Sequence, residues 1–247
     1  MRIVVARDYE EMSRRAAKIV AGQIFVKPNS IIGLATGSTP LLMYRELIRI
    51  HESEGLDFSE ITTFNLDEYI GLPSDNINSY HFYMYDNLFN HINIKKENIF
   101  IPNGMASDIE RECRVFEQHI AEKGGIDLQV LGIGNNGHIG FNEPDIKFEA
   151  TTHLVKLDEE TILANARFFD NIDEVPKNAI SMGIKTIMHA RKILLLANGC
   201  SKAEALSKAL YGGITPEIPA SILQLHQDVT VVVDEECGSF LKNSHHE

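Results

Sequence analysis

Residues 126–144 read IDLQVLGIGNNGHIGFNEP. The first eight residues are almost continuously apolar and show no helical stripe, as expected of a strand covered on both faces of a parallel sheet. Gly132, Gly134 and Gly137 then spell G-x-G-x-x-G. That pattern binds a dinucleotide only when a strand precedes it and a helix opens directly after it. Here the second condition fails. Gly140 and Pro144 interrupt any helix, and Ile139 and Phe141 are modest helix formers. The acidic residue that the fingerprint needs about twenty positions on would be Asp158, which stands at a predicted helix start rather than a strand end. The stretch is therefore read as a strand running into a tight, exposed turn that displays Asn136, His138 and Glu143.

Other strands follow the same pattern. Short apolar, β-branched runs are expected as strands at 2–6, 30–36, 61–66, 126–133, 153–157, 179–184, 192–197 and 229–234. Segments of helical period lie between them at 8–26, 40–54, 79–90, 107–123, 158–169, 201–211 and 234–241, with Asp8, Asp158 and Ser201 as N-cap residues. This alternation predicts an α/β fold: a single domain over 1–247, with a doubly wound, mostly parallel, Rossmann-like sheet and flanking helices. Residues 242–247 are expected to be a frayed tail. The connections 66–78 and 133–151 are long for a compact domain, which marks them as candidate functional loops. Ligands in such sheets bind beyond the carboxyl ends of the strands.

Composition removes several classes of function. The chain has 247 residues, 44% of them hydrophobic and 23% charged, and a net charge of −12. An acidic surface repels nucleic-acid phosphates and anionic membranes, so neither is expected as a partner, and an anionic ligand would need a local positive cluster. Cys113, Cys200 and Cys237 are odd in number and widely spaced, which argues against a disulfide framework or a zinc site and for reduced thiols. The N-terminus, MRIVVARDYE, lacks a signal-peptide h-region, and no apolar run reaches the ~18 residues of a membrane span. A cytoplasmic location is the expectation.

Two further motifs follow predicted strands. Residues 33–40 read GLATGSTP. Thr36, Gly37, Ser38 and Thr39 form a turn before a helix that Pro40 can open, an arrangement that suits an anion and equally suits an ordinary capped turn. No Gly-Lys-Ser/Thr ending is present, which excludes a nucleotide P-loop. Residues 64–73 read FNLDEYIGLP. Neighbouring side chains of an extended segment point opposite ways, so one of Asp67 and Glu68 can face a cleft while the other supports the loop. A carboxylate under Phe64 and Tyr69 would have a raised pKa, as a general base requires, although a solvated turn or a helix cap remains open. In the opening stretch, His138 can accept and return a proton near neutral pH, and a carboxylate such as Glu143 on its other ring nitrogen would fix the tautomer. A structural histidine bonded to a backbone carbonyl is the alternative.

Taken together, GLATGSTP, FNLDEYIGLP and GNNGHIGFNEP, with ARFFDN at 166–171 and GCSKAEAL at 199–206, resemble the glucosamine-6-phosphate deaminase family over nearly the whole chain. The resemblance implies conversion of glucosamine 6-phosphate and water to fructose 6-phosphate and ammonia, with no organic cofactor and no metal. It implies Asp67 as the base for enolisation and His138 as the proton acceptor in ring opening, assisted by Glu143 and Asn136. It also implies a phosphate site formed by the 36–39 loop with Arg167 and Lys202. A 6-phosphogluconolactonase-like hydrolase and a non-catalytic sugar-phosphate sensor are the competing readings. The hydrolase requires no base at an enolisable C2, and the sensor need not retain Asp67, His138 and Glu143 together. Some family members carry Asp where this chain has Asn136. Allosteric hexameric members use a Ser and an Arg-x-Lys where this chain places Ile146, His153 and Val155, and they carry a longer tail. The expectation is a monomer or small oligomer that responds weakly or not at all to N-acetylglucosamine 6-phosphate.

Overall fold

The computed structural model describes residues 1–239 except 167, 168 and 170. The strands are β1 (Arg2–Ala6), β2 (Ile31–Leu34), β3 (Thr62–Asn65), β4 (Asp67–Tyr69), β5 (Ile99–Phe100), β6 (Leu128–Gly132), β7 (His153–Lys156), β8 (Asn178–Ser181), β9 (Lys192–Ala197) and β10 (Val229–Asp234). The α-helices are α1 (Tyr9–Val26), α2 (Leu41–Glu54), α3 (Tyr80–Asn87), α4 (Ile109–Glu122), α5 (Glu159–Asn165), α6 (Ile184–Met188), α7 (Ala203–Tyr211) and α8 (Glu235–Gly238).

Seven strands form one sheet in the order β1-β10-β9-β6-β2-β3-β5, and every pairing in it is parallel. Strand β9 is apolar on both faces because both faces are covered. Along β9, Leu194 and Leu196 pack with α1 and α2, while Ile193, Leu195 and Ala197 pack with α4, α6 and α7. Each leucine or isoleucine among them, removed from water, contributes roughly 1.5–3 kcal/mol. At the amino-terminal end of the sheet, buried Asp127 accepts from Lys27, Arg191 and the Ile31 N–H, which ties three elements together far from any strand's carboxyl end.

The expected strands at 153–157 and 179–184 form, but outside the large sheet. β7 and β8 join β4 in a small antiparallel sheet, in the order β4-β8-β7. The strand β4, only three residues long, carries no periodic signal of its own and was not expected. Leu66 is the switch between the sheets. Its N–H donates to Leu34 O in the main sheet (3.0 Å), and its carbonyl accepts from Met182 N–H at the end of β8 (2.7 Å). Asp67 is thus the first residue past the point where the chain changes sheets.

The helix starts differ in part from expectation. Asp8 caps α1, its carboxylate accepting from the Glu11 N–H at 2.7 Å. Asp158 precedes α5 without a side-chain capping bond. Ser201 lies inside a short 3-10 turn, Cys200–Lys202, and α7 begins only after Lys202. Among the described residues, no helix is long and apolar enough to cross a membrane. The tail expected at 242–247 lies outside the described residues.

Candidate active site

Strands β9, β6, β2 and β3 are consecutive in the sheet, and the segments leaving their carboxyl ends line one cleft of about 460 Å³. β2 contributes Thr36, Gly37, Ser38 and Thr39; β3 leads to Asp67; β6 leads to Asn136 and His138; β9 leads to Asn198, Gly199 and Lys202. Parallel strands all end at the same edge, so motifs more than 160 positions apart in sequence converge here.

The turn at 36–39 depends on Gly37, whose φ of 93° is a conformation L side chains resist. Thr39 is buried and bonded on both sides: its hydroxyl accepts from Lys202 Nζ at 2.7 Å and reaches Asn198 Oδ1 at 3.0 Å. Lys202 is thereby held at the loop. Arg167, the other expected cation, lies outside the described residues.

Asp67 and Glu68 diverge as neighbours on a strand must. Glu68 turns away from the cleft and accepts three backbone N–H groups, from Tyr69 (2.8 Å), Tyr80 (2.9 Å) and His81 (2.8 Å). The last two belong to the first turn of α3, where donors lack partners within the helix. Asp67 lines the cleft, is only 6% exposed, and its Oδ1 has no hydrogen-bond partner among the described residues. Burial, with the adjacent Glu68 charge adding to it and the Thr36 hydroxyl opposing it, pushes its pKa up to about 8.

The glycine turn after β6 serves His138. Gly134 N–H donates to His138 O, closing the turn, and no helix forms between it and Thr151. A Cβ on Gly134 would lie 2.3 Å from His138 Cε1, so the imidazole rests on the bare glycine backbone. Gly137 takes a φ of 87°, and its carbonyl accepts from the Ala220 N–H. These glycines shape a loop and seat a ring; no helix follows to face a pyrophosphate.

His138 Nδ1 lies 3.1 Å from Glu143 Oε2. The same oxygen accepts from Asn136 Nδ2 at 2.9 Å, and Asn136 Oδ1 accepts from the His138 backbone N–H. Asn136 therefore braces the carboxylate and the loop rather than touching the imidazole. Burial acts to raise Glu143, but hydrogen bonding and charge from His138, then Thr161 and Asn136, outweigh it and hold the carboxyl below its ordinary value. Gly140, two residues past His138, comes close to Asp67: a Cβ there would lie 3.7 Å from Asp67 Oδ2.

Asn198, Thr161, Asn165 and Tyr80 also line the cleft and were not singled out from sequence. Asn198 could have been, since it ends a strand just before Gly199, as the other motifs do. Tyr80 sends no comparable signal; only Glu68, by holding its N–H, brings it in. A second opening of about 860 Å³ is bordered by Glu143, His153, Val155 and Lys156, and by neither Asp67 nor His138; Glu143 itself does not line the cleft and reaches it only through His138.

Residues 7–232 match the family model of glucosamine-6-phosphate isomerases/6-phosphogluconolactonase. The chain belongs to this family. Within it, a glucosamine-6-phosphate deaminase of Clostridium acetobutylicum is 61% identical over 241 residues, covering 98% of this chain and 100% of that protein. One from Clostridium botulinum (strain Langeland) is 60% identical over 242 residues, covering 98% and 99%. The solved structure of a monomeric glucosamine-6-phosphate deaminase superposes with a TM-score of 0.95 at 55% identity, covering 97% of this chain and all of that one. The 6-phosphogluconolactonase of Trypanosoma brucei shares the fold at a TM-score of 0.76 and 20% identity, covering 97% and 98%. Family members thus include both chemistries that the sequence left in competition.

Proposed function

We propose that the chain is a glucosamine-6-phosphate deaminase that releases ammonia and forms fructose 6-phosphate. One observation carries the reading: a buried carboxylate, Asp67, with an oxygen that has no partner among the described residues and a pKa near 8, shares a cleft with His138, itself paired to Glu143, and with an anion-type loop. A base with a pKa near the working pH suits removal of a carbon-bound proton, a step a lactone hydrolysis does not contain. The identity of the deaminases of known kind supports the same choice.

In this reading Thr36, Gly37, Ser38 and Thr39, with Lys202 and Arg167, hold the phosphate and so orient the sugar. His138, its Nδ1 side fixed by Glu143, takes the O1 proton and delivers one to the ring oxygen, opening the ring to the aldehyde. Asp67 then removes the C2 proton. The electron pair moves to give the enolamine as O1 takes up a proton. Proton return at C1 leaves an imine at C2, which water converts to the ketone with loss of ammonia. Asn136 keeps Glu143 in place. Amino-sugar breakdown is the corresponding role. The chain works as a monomer or small oligomer, in line with its match to a monomeric deaminase, and its activation by N-acetylglucosamine 6-phosphate is weak or absent, since Ile146, His153 and Val155 stand where allosteric members place their effector contacts.

A coupled assay for ammonia and fructose 6-phosphate from glucosamine 6-phosphate tests the reading, with 6-phosphogluconolactone as the competing substrate. Both products in equal amounts are expected. Lactone hydrolysis without ammonia would replace this reading with the hydrolase, and ligand-induced thermal stabilisation without turnover would replace it with a sensor.

A further inference from the structure

Three tyrosines from three helices converge on the carbonyls of the 35–39 segment. Tyr44, fully buried in α2, donates its hydroxyl to Ala35 O. Tyr83 of α3 donates to Gly37 O at 2.7 Å. Tyr9, the first residue of α1, donates to Ser38 O at 2.5 Å and accepts from the Leu42 N–H at the start of α2. None of the three borders the cleft, whereas Thr36, Gly37, Ser38 and Thr39 all do.

A trans peptide unit is planar, with its C=O and N–H pointing opposite ways. A carbonyl committed to a phenol behind the loop turns the next residue's N–H toward the front. The Ala35, Gly37 and Ser38 carbonyls therefore set the N–H groups of Thr36, Ser38 and Thr39 toward the cleft. We infer that Tyr9, Tyr44 and Tyr83 are positioning residues that hold the loop as a phosphate receptor by taking its carbonyl dipoles out of the site. Left unpaired, each of these carbonyls could swing forward and repel the anion. Burial raises the pKa of all three phenols, so each remains an O–H donor across the neutral range. The arrangement differs from a bare helix N-terminus because the donors' direction is imposed by side chains from outside the loop. It also makes α1, which contributes nothing to the cleft lining, part of the binding machinery.

This inference rests on the reading of residues 36–39 as the phosphate cradle, and the test separates the two. Tyr83→Phe and Tyr9→Phe delete one hydroxyl each and keep the ring. Binding of inorganic phosphate is measured by titration calorimetry, and kcat and KM for glucosamine 6-phosphate are measured alongside, with Lys202→Ala as the reference. Each Phe variant is expected to weaken phosphate binding about three- to tenfold, the effect of losing one neutral hydrogen bond, and to raise KM in step while kcat stays within about twofold. Unchanged phosphate affinity and KM in the Phe variants, with Lys202→Ala weakening both, would overturn the tyrosine inference alone, even if Tm fell. Unchanged phosphate affinity in all three variants would overturn the cradle itself.

Discussion

Asp67 and Glu68 are adjacent carboxylates with opposite fates. Glu68 has three backbone N–H partners, while Asp67 has an oxygen with none among the described residues and a cleft in front of it. The alternation of a strand puts them on opposite sides, and Glu68, by fastening α3, builds part of the wall that buries Asp67. One carboxylate thus sets the electrostatic state of its neighbour both as a nearby charge and as a structural tie.

Replacing Asp67 should separate chemistry from binding. Asp67→Asn is expected to lower kcat by at least ~10²-fold, the usual scale for general-base removal, and to leave KM close to its original value. Steady-state kinetics checks this; near-normal kcat would remove Asp67 from the mechanism.

The same substitution should change the pH dependence of stability. The folded-state pKa of Asp67, about 8, lies above the ordinary carboxylate value of 3.8. Folded protein therefore keeps a proton that unfolded chain has released, and this contribution, full below pH ~4, is lost as pH rises through about 8. Asp67→Asn cannot lose it. Tm measured at pH 5 and pH 9 should fall less steeply in the variant than in the parent, with the variant the more stable of the two at pH 9.

Activity should rise with pH across the interval in which stability declines. Only ionised Asp67 accepts a proton, so kcat/KM is expected to climb through pH ~8 on its acidic limb, reporting the free enzyme. Glu68→Gln removes a neighbouring charge and should move that limb to lower pH. It also sets an amide N–H against a backbone donor, which should destabilise the fold by about 1–3 kcal/mol. A limb that stays in place in Glu68→Gln would show that burial alone sets the pKa of Asp67.

Gly134→Ala should affect catalysis more than folding. The added methyl would collide with the His138 ring, the movable end of a side chain, rather than with backbone. The imidazole would be displaced from Glu143 and from the cleft. An expected loss of ~10²-fold or more in kcat, comparable to losing an acid–base group, would accompany a change in Tm of only a few degrees. A large Tm loss with kcat retained would contradict this account of the glycine.

Lys202→Ala removes a charge held at the loop by Thr39. A phosphate contact remote from the reacting carbons binds ground and transition states alike, so KM should rise with kcat little changed. Kinetics against glucosamine 6-phosphate decides it; a fall in kcat at constant KM would place Lys202 nearer the chemistry.

Much of this could be read from the chain before any coordinates. Continuous apolar runs such as 192–197 determined the parallel strands, because a strand covered on both faces leaves a pattern independent of its neighbours. The three loop motifs were visible because Gly and polar residues follow such runs directly, and the rule that ligands sit beyond strand carboxyl ends does not depend on the order of strands. The rest was decided only in three dimensions. β4 is too short to carry a period, and membership of β7 and β8 in a separate antiparallel sheet follows from hydrogen bonds across Leu66. Whether Asp67 or Glu68 faces the cleft depends on which one meets the amino end of α3. The tyrosines behind the 36–39 loop come from helices whose periodicity describes only their buried stripe. Local pattern records which face of an element is apolar; the partner that a polar atom finds across the fold is settled by packing, and that pairing is what separates Asp67 from Glu68.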